Sequence, residues 1–325
     1  NGHLKLEYIL DALAVGVDIG GTNTKLSLVT RSGQILKRSA FPTHAVNGGT
    51  DYPSTLLTSM KQLLAYAKRP LKGIGVGAPG CDPETGYISY AVNLPFTAPF
   101  PIRDFLSEKL CAHTVLVKDS TAAALGEKMW GGAADMDSFV LIALGTGLGS
   151  AFYINGRIVE GGHGLASELG HTTAVPAGRK CTCGRRGCLE TYVSATGLRR
   201  TCQALMAQEL LPSALRTLPE AALTAKAITL AAQEGDPLAQ MAVEDLAEKM
   251  GHALASLVLQ IDPEGIFLSG GLAKAGDQLI SAVERHMNAA LLPAFQGKVP
   301  VRLSQLGADN AGTLGAAAQV YIDNH

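Results

Sequence analysis

Two stretches of this chain follow one plan: a short apolar strand, a turn built from Gly and Thr, and a second apolar strand. The first runs from Ala14–Val17 through Asp18 and Ile19 into Gly20-Gly21-Thr22-Asn23-Thr24-Lys25, and resumes as a strand at Leu26–Thr30. Arg31-Ser32-Gly33-Gln34 then turns into a third strand, Ile35 to Arg38. The second runs from Phe139–Ala143 into Leu144-Gly145-Thr146-Gly147-Leu148-Gly149, then Ser150–Ile154 and the hairpin dipeptide Asn155-Gly156. In both, the glycine turn joins the strands of a hairpin. In a dinucleotide or P-loop unit it would open a helix, and neither fingerprint, GxGxxG or GxxxxGK[ST], occurs at these turns. Glycines at such turns let backbone N–H groups close on phosphate oxygens, and Thr22 and Thr24 add hydroxyl donors. Asp18, at the end of its strand, can hold hydrated Mg²⁺ without direct ligation. An ordinary glycine hairpin remains the alternative for either turn taken alone. Together they predict a duplicated α/β chain with one phosphate turn per half, the halves facing each other across a cleft. A length of 325 residues also favours two domains over one core.

Three further strand ends carry polar residues. Thr114–Val117 is an expected strand, followed by Lys118-Asp119-Ser120 and the strongly helical Thr121–Leu125. Asp119 sits where strand gives way to helix. It is either a helix N-cap or a base at the carboxyl end of a strand, where open α/β sheets put their ligands. Asn93 in Asn93-Leu94-Pro95 presents an amide to a polar ligand or belongs to a plain turn. Ile266–Leu268 leads into Ser269-Gly270-Gly271, where glycines let a nucleotide lie against the backbone or serve only a strand-to-helix turn. Helices are expected over 52–67, 102–110, 198–210, 221–234, 237–260 and 275–291, with a last one at 311–322.

The stretch Gly161–Glu190 holds the densest chemistry. His171 is followed by Cys181, Cys183 and Cys188 in a glycine-rich loop. Three thiolates and an imidazole are the ligand set of a closed tetrahedral zinc site; buried small thiols or disulfides are the alternatives. C-x-C is too close for an easy disulfide, and the spacing favours zinc. Glu168 and Glu190 bracket the ligands, so a metal there would fix two carboxylates in space.

Composition narrows the partners. With 27 basic and 28 acidic residues the net charge is −1, which offers nothing to nucleic acid or an anionic membrane. No apolar run approaches the ~18 residues of a membrane helix, and the opening segment, broken by Lys5, Glu7 and Asp11, does not read as a signal peptide. A cytoplasmic protein with reduced cysteines is expected.

Taken together, DIGGTNTK, NLP, KDSTAAALGE, LGTGLGSA, GGHGLASELGH, CTCGRRGCLE, LSGG and GADNAGTLGAA resemble the ROK family (repressors, open reading frames and sugar kinases) from about Val15 to Tyr321. The resemblance implies an actin-like (ribonuclease H-like) α/β fold of two lobes around a central cleft, a homodimer, a structural zinc ion, Mg²⁺ with ATP, and phosphorylation of a hexose. The lobes are expected at 1–130 and 131–325, the last helix, 311–322, packing back on the first. Asp119 matches the family's catalytic Asp. Asn93, Glu168, His171 and Glu190 match sugar-binding positions, and Lys118 takes the place of a further one. Gly20, Gly21, Thr22, Asn23, Thr24 and Lys25, with Gly145, Thr146, Gly147 and Gly149, match the phosphate loops. Asp18 matches the metal–phosphate end, and Gly270 and Gly271 the nucleotide pocket. The zinc ligands are His171, Cys181, Cys183 and Cys188.

One departure stands out. Family kinases carry Asn before the catalytic Asp and again two residues after it; here these are Lys118 and Thr121. Lys118 is expected to pull the pKa of Asp119 down and to alter the choice of sugar. Glucose is the expected substrate, with N-acetylglucosamine, N-acetylmannosamine, mannose, allose or fructose as alternatives. A sugar-sensing regulator or an inactive sugar-binding homologue is the alternative of another class. A repressor would need a DNA-reading element ahead of the first strand, for which little chain is present.

Overall fold

The computed structural model describes residues 12–44, 52–89, 94, 99–208, 210–307 and 310–323. The chain divides into two compact units: residues 1–134 with 305–325, and residues 135–304. Residues 131–134 and 305–325 thus group with the first unit.

The first unit opens with β1 (Leu13–Ile19), β2 (Asn23–Val29) and β3 (Ile35–Pro42), then α1 (Tyr52–Leu64) and β4 (Leu71–Ala78). A small ribbon of β5 (Cys81–Asp82) and β6 (Tyr87–Ile88) precedes α2 (Ile102–Leu110), β7 (Thr114–Lys118) and α3 (Asp119–Trp130). Its main sheet has the order β3-β2-β1-β4-β7. β1 to β3 form an antiparallel meander, whereas β4 and β7 run parallel to β1. β1 is an almost unbroken apolar run because it lies mid-sheet with both faces covered.

The second unit repeats this order. β8 (Phe139–Leu144), β9 (Leu148–Ile154) and β10 (Arg157–Ile158) form the meander. The metal-ligand loop and four helices follow: α4 (Ala195–Gln208), α5 (Ala225–Gln233), α6 (Pro237–Ile261) and, beyond β11 (Gly265–Ser269), α7 (Asp277–Ala290). With β12 (Val301–Leu303) the sheet order is β10-β9-β8-β11-β12, β11 and β12 being parallel to β8. The core centres on α6, whose Leu246, Met250 and Leu254 are buried among the flanking helices and the sheet. Asp236 starts α6 by accepting the Ala239 N–H at 3.0 Å, and Pro237 follows at the first helical position.

Two helix boundaries differ from the sequence expectation for local reasons. α4 begins at Ala195 because Ser194 accepts the Gly197 N–H at 2.9 Å. The helix expected over 221–234 breaks into a 3₁₀ turn, Glu220–Ala222, and α5, since Thr224 caps α5 through the Ala227 N–H at 3.1 Å.

The chain closes with α8 (Ala311–Ile322), which lies on β1, β4 and α3 of the first unit. The approach is close: a Cβ at Gly16 would run into the Thr313 carbonyl, and one at Gly75 into that of Ala316. Burying Leu314, Val320 and Tyr321 stabilises the unit by roughly 1.5–3 kcal/mol per large side chain.

Candidate active site

In the first unit the chemistry lies at the carboxyl ends of β1 and β7. The β1–β2 turn is closed by the Gly20 N–H to the Asn23 carbonyl at 3.1 Å, and the Thr43 hydroxyl donates to the Gly20 carbonyl at 2.6 Å. Thr22 and Asn23 are exposed and Lys25 half-buried. Thr24 corrects the sequence reading. Its hydroxyl is buried and bonded to Thr43 Oγ1 at 3.1 Å and Tyr52 Oη at 2.9 Å, so it offers no donor to a phosphate. The pleat is the reason: Thr24 shares its face with buried Leu26 and Leu28, and Asn23 and Lys25 take the other.

Asp18 occupies the next-to-last position of β1, opposite Lys25. Burial, reinforced by the charge of Asp119, pushes its pKa up to about 6 against the pull of Lys25. A Cβ at Gly312, in the first turn of α8, would collide with this carboxylate, so α8 begins directly against Asp18.

Asp119 is the first helical residue of α3, and Lys118 occupies the N-cap position, with no side-chain cap. Asp119 is therefore not the cap; its Oδ1 accepts the N–H of Ser120 at 2.8 Å. The carboxylate touches solvent yet is surrounded by protein mass. Burial raises its pKa, outweighing the Ser120 N–H, its own N–H and Lys118. Lys118 does pull downward, as charge alone predicts, but it is the smallest of these influences. Asn93 lies outside the described residues.

In the second unit the β8–β9 turn is closed by the Gly145 N–H to the Gly147 carbonyl at 3.0 Å. Gly270, at φ +90°, backs onto Leu144 at the end of β8, where an added Cβ would approach the Leu144 carbonyl to 2.5 Å. Gly271 faces open space and starts a 3₁₀ turn, Leu272–Ala275.

The ligand atoms of His171, Cys181, Cys183 and Cys188 all lie within 4.8 Å of one another. Cys181 Sγ is 3.7 Å from His171 Nδ1, and Cys183 Sγ is 3.7 Å from Cys188 Sγ. A tetrahedral ion with Zn–S of ~2.3 Å spaces its sulfurs about 3.8 Å apart, whereas a disulfide needs about 2.05 Å. The donor set and its spacing fit zinc and exclude a disulfide; all six cysteines are free thiols. Glycines at positive φ, Gly184 and Gly187, bend the loop around the donors.

Glu190 lies two residues beyond Cys188, and its Oε2 accepts the Leu148 N–H at 2.9 Å. Glu168 is exposed and precedes the 3₁₀ turn Leu169–His171. It lines a cavity of about 490 Å³ with Lys249 and His252 of α6.

Comparison with known proteins decides the family. The sequence model of the ROK family matches residues 14–321. The chain belongs to the ROK family. It is 38% identical to a glucokinase of Halalkalibacterium halodurans, with 94% of each chain covered, and 33% identical to a glucokinase of Thermotoga maritima over 94% of this chain and 96% of the other. Among solved structures, a ROK family glucokinase from Streptomyces griseus in complex with glucose and AMPPNP superposes with a TM-score of 0.81 at 29% identity, covering 95% of this chain and 99% of the other. The fold is accordingly the actin-like α/β fold of ROK sugar kinases.

Several residues that shape these ROK elements escaped the motif reading. Thr43 and Tyr52 hold β2 from behind the first turn. Arg179 stacks over Tyr192 at 4.4 Å and donates to the carbonyls of Thr191 at 2.9 Å and Gly197 at 3.2 Å, bracing the segment after the last cysteine. Arg179 sits between two motifs, and only a buried-cation argument from the fold reveals it.

Proposed function

We propose that this chain is an ATP-dependent hexose kinase that converts glucose to glucose 6-phosphate. The observation carrying the reading is Asp119, a carboxylate held at the strand–helix junction of a chain that aligns along nearly its whole length with glucokinases. The sugar hydroxyl oxygen bonds to the γ-phosphorus as the bond to the β–γ bridging oxygen breaks, ADP leaves, and the hydroxyl proton passes to Asp119. Burial of Asp119 suits this role, because a base with a pKa nearer neutrality takes the proton more readily. Since phosphoryl transfer is dominated by positioning and charge stabilisation, the remaining residues act mainly as a mould.

Backbone N–H groups of Gly20–Asn23 and Gly145–Gly147 cradle the phosphates, with the Thr22 and Thr146 hydroxyls and Lys25 beside them. Asp18 is the oxygen donor for hydrated Mg²⁺, which would supply charge neutralisation on the phosphates. Gly270 and Gly271 border the nucleoside. Glu168, His171 and Glu190 accept or donate to sugar hydroxyls, and Asn93 and Lys118 complete the set. His171, Cys181, Cys183 and Cys188 hold a structural zinc ion, with His171 Nε2 left to face the sugar. The chain is expected to work as a homodimer, which light scattering tests. The decisive assay couples ADP release to a panel of glucose, mannose, fructose, allose and the N-acetylhexosamines. ADP formation with glucose, at the highest kcat/KM of the panel, is expected. Preference for another hexose would reassign the substrate, and no ADP with any of them would end the kinase reading.

A further inference from the structure

The loop that holds the proposed zinc site and the start of α4 meet the β8–β9 hairpin at four places. Ser150 Oγ donates to the Ser167 carbonyl and accepts the Leu169 N–H at 3.1 Å. Gly170 lies so close to the turn that an added Cβ would reach the Leu148 carbonyl at 2.6 Å. Beyond the last cysteine, the Ala195 N–H donates to the Gly145 carbonyl at 2.9 Å, and Glu190 Oε2 accepts the Leu148 N–H at 2.9 Å. Of these contacts, the Glu190 bond is the one made by an ionisable side chain. Glu190 fills the space beside Gly147 so fully that a Cβ there would overlap its carboxylate. Glu190 is itself held from behind: its carbonyl accepts the Ser194 hydroxyl at 2.8 Å, and Arg179 grips the next residue through the Thr191 carbonyl at 2.9 Å.

We propose that Glu190 is a positioning residue for the nucleotide as well as a sugar ligand: its carboxylate fixes the β8–β9 turn in the shape that binds phosphate. The proposal rests on the kinase reading, which makes that turn a phosphate cradle. A glycine turn is a weak template for an anion because its peptide planes rotate freely, and a nest of N–H groups binds phosphate only when they converge. Taking the Leu148 N–H onto a carboxylate, a bond stronger than one between neutral groups, removes that freedom at the C-terminal end of the turn. The N–H groups of Thr146 and Gly147 are left to converge on the ligand. One carboxylate then serves two substrates, Oε2 through the turn and Oε1 on a sugar hydroxyl.

Binding of the non-hydrolysable nucleotide AMPPNP, measured by calorimetry without sugar, separates the two roles. Glu190→Ala is expected to weaken nucleotide binding about tenfold or more, the worth of a hydrogen bond to a charged group, with zinc content unchanged and the protein still folded. Glu190→Gln, whose carbonyl still accepts the Leu148 N–H, should stay within about threefold of wild type for the nucleotide while its sugar KM rises. If Glu190→Ala binds AMPPNP as wild type does and only the sugar KM changes, the positioning role is overturned and the kinase reading stands. If wild-type protein releases no ADP with any hexose, the kinase reading itself fails. Should Glu190→Ala lose zinc or unfold, Glu190→Asp carries the test. Its carboxylate, one methylene short of Leu148, is expected to give the same weakening, and unchanged AMPPNP affinity would overturn the proposal.

Discussion

The two glycine turns share strand order and neighbours but are built differently. At the next-to-last position of its leading strand the first has Asp18 and the second has Ala143. The first is backed by hydroxyls, with Thr43 on the Gly20 carbonyl and Thr24 and Tyr52 behind the strand, and α8 abuts its acid. The second carries no acid on its own strand; its supports are Glu190 and Leu169 of the metal-ligand loop, the latter through Ser150, and Ala195 at the start of α4. Duplication therefore preserved the backbone device and divided the labour. One copy carries a buried acid, whereas the other is braced by the loop that holds the cysteines.

The sharpest way to break this division is Asp119→Asn, which removes the proposed proton acceptor from the first unit alone. Turnover should fall by about 10²–10⁴-fold while sugar binding followed by calorimetry persists; a near-normal kcat would move the base elsewhere. Next is Cys183→Ser in the second unit. Zinc content should drop and the glucose KM rise about tenfold or more, because ligand and carboxylates share one loop. Metal loss at an unchanged KM would uncouple them.

Asp18→Asn probes the acid that the second turn lacks. Burial holds Asp18 up to about 6, so the folded state keeps its proton more firmly than the unfolded chain. Its favourable contribution is present below about pH 4 and is lost as pH rises through about 6, where the fold must carry a buried charge. The Asn variant, with kcat reduced, is expected to outlast wild type in Mg²⁺-free thermal melts above pH 6 by up to about 3 kcal/mol, and to match it near pH 3.5. An equal Tm difference at both pH values would contradict this. Gly312→Ala presses a methyl on the same carboxylate and should cost about 1–3 kcal/mol in chemical denaturation; Gly147→Ala, which presses on Glu190, is its counterpart at the second turn. Lys118→Asn should have the smallest effect, shifting relative kcat/KM among hexoses by about tenfold or less, at most about 1.4 kcal/mol. An unchanged profile would take Lys118 out of the sugar site.

Much of this was legible in the sequence. Periodicity and glycine placement located both hairpins and the strand–helix junction at Asp119, and ligand spacing gathered His171 with the three cysteines. Thr24 was legible too and was misjudged, because a motif invites every hydroxyl to face the ligand while strand alternation assigns it to the core. Glu190 meeting Leu148 was out of reach. The partners are 42 residues apart, and no local pattern says which backbone N–H a loop carboxylate will take. The upward shift of Asp119 was likewise hidden, since sequence displays the adjacent Lys118 but not the surrounding mass that outweighs it.

The return of residues 305–325 to the first unit has a consequence for biogenesis. The second unit is one uninterrupted stretch of chain, whereas β1 and β4 wait for α8, which is made after all of the second unit. During synthesis the earlier-made half must remain uncapped, its apolar sheet face and Gly16–Thr313 contact unmet, until residues 311–322 leave the ribosome. Chaperone dependence and sensitivity to loss of residues 311–322 should therefore concentrate in the half that is translated first.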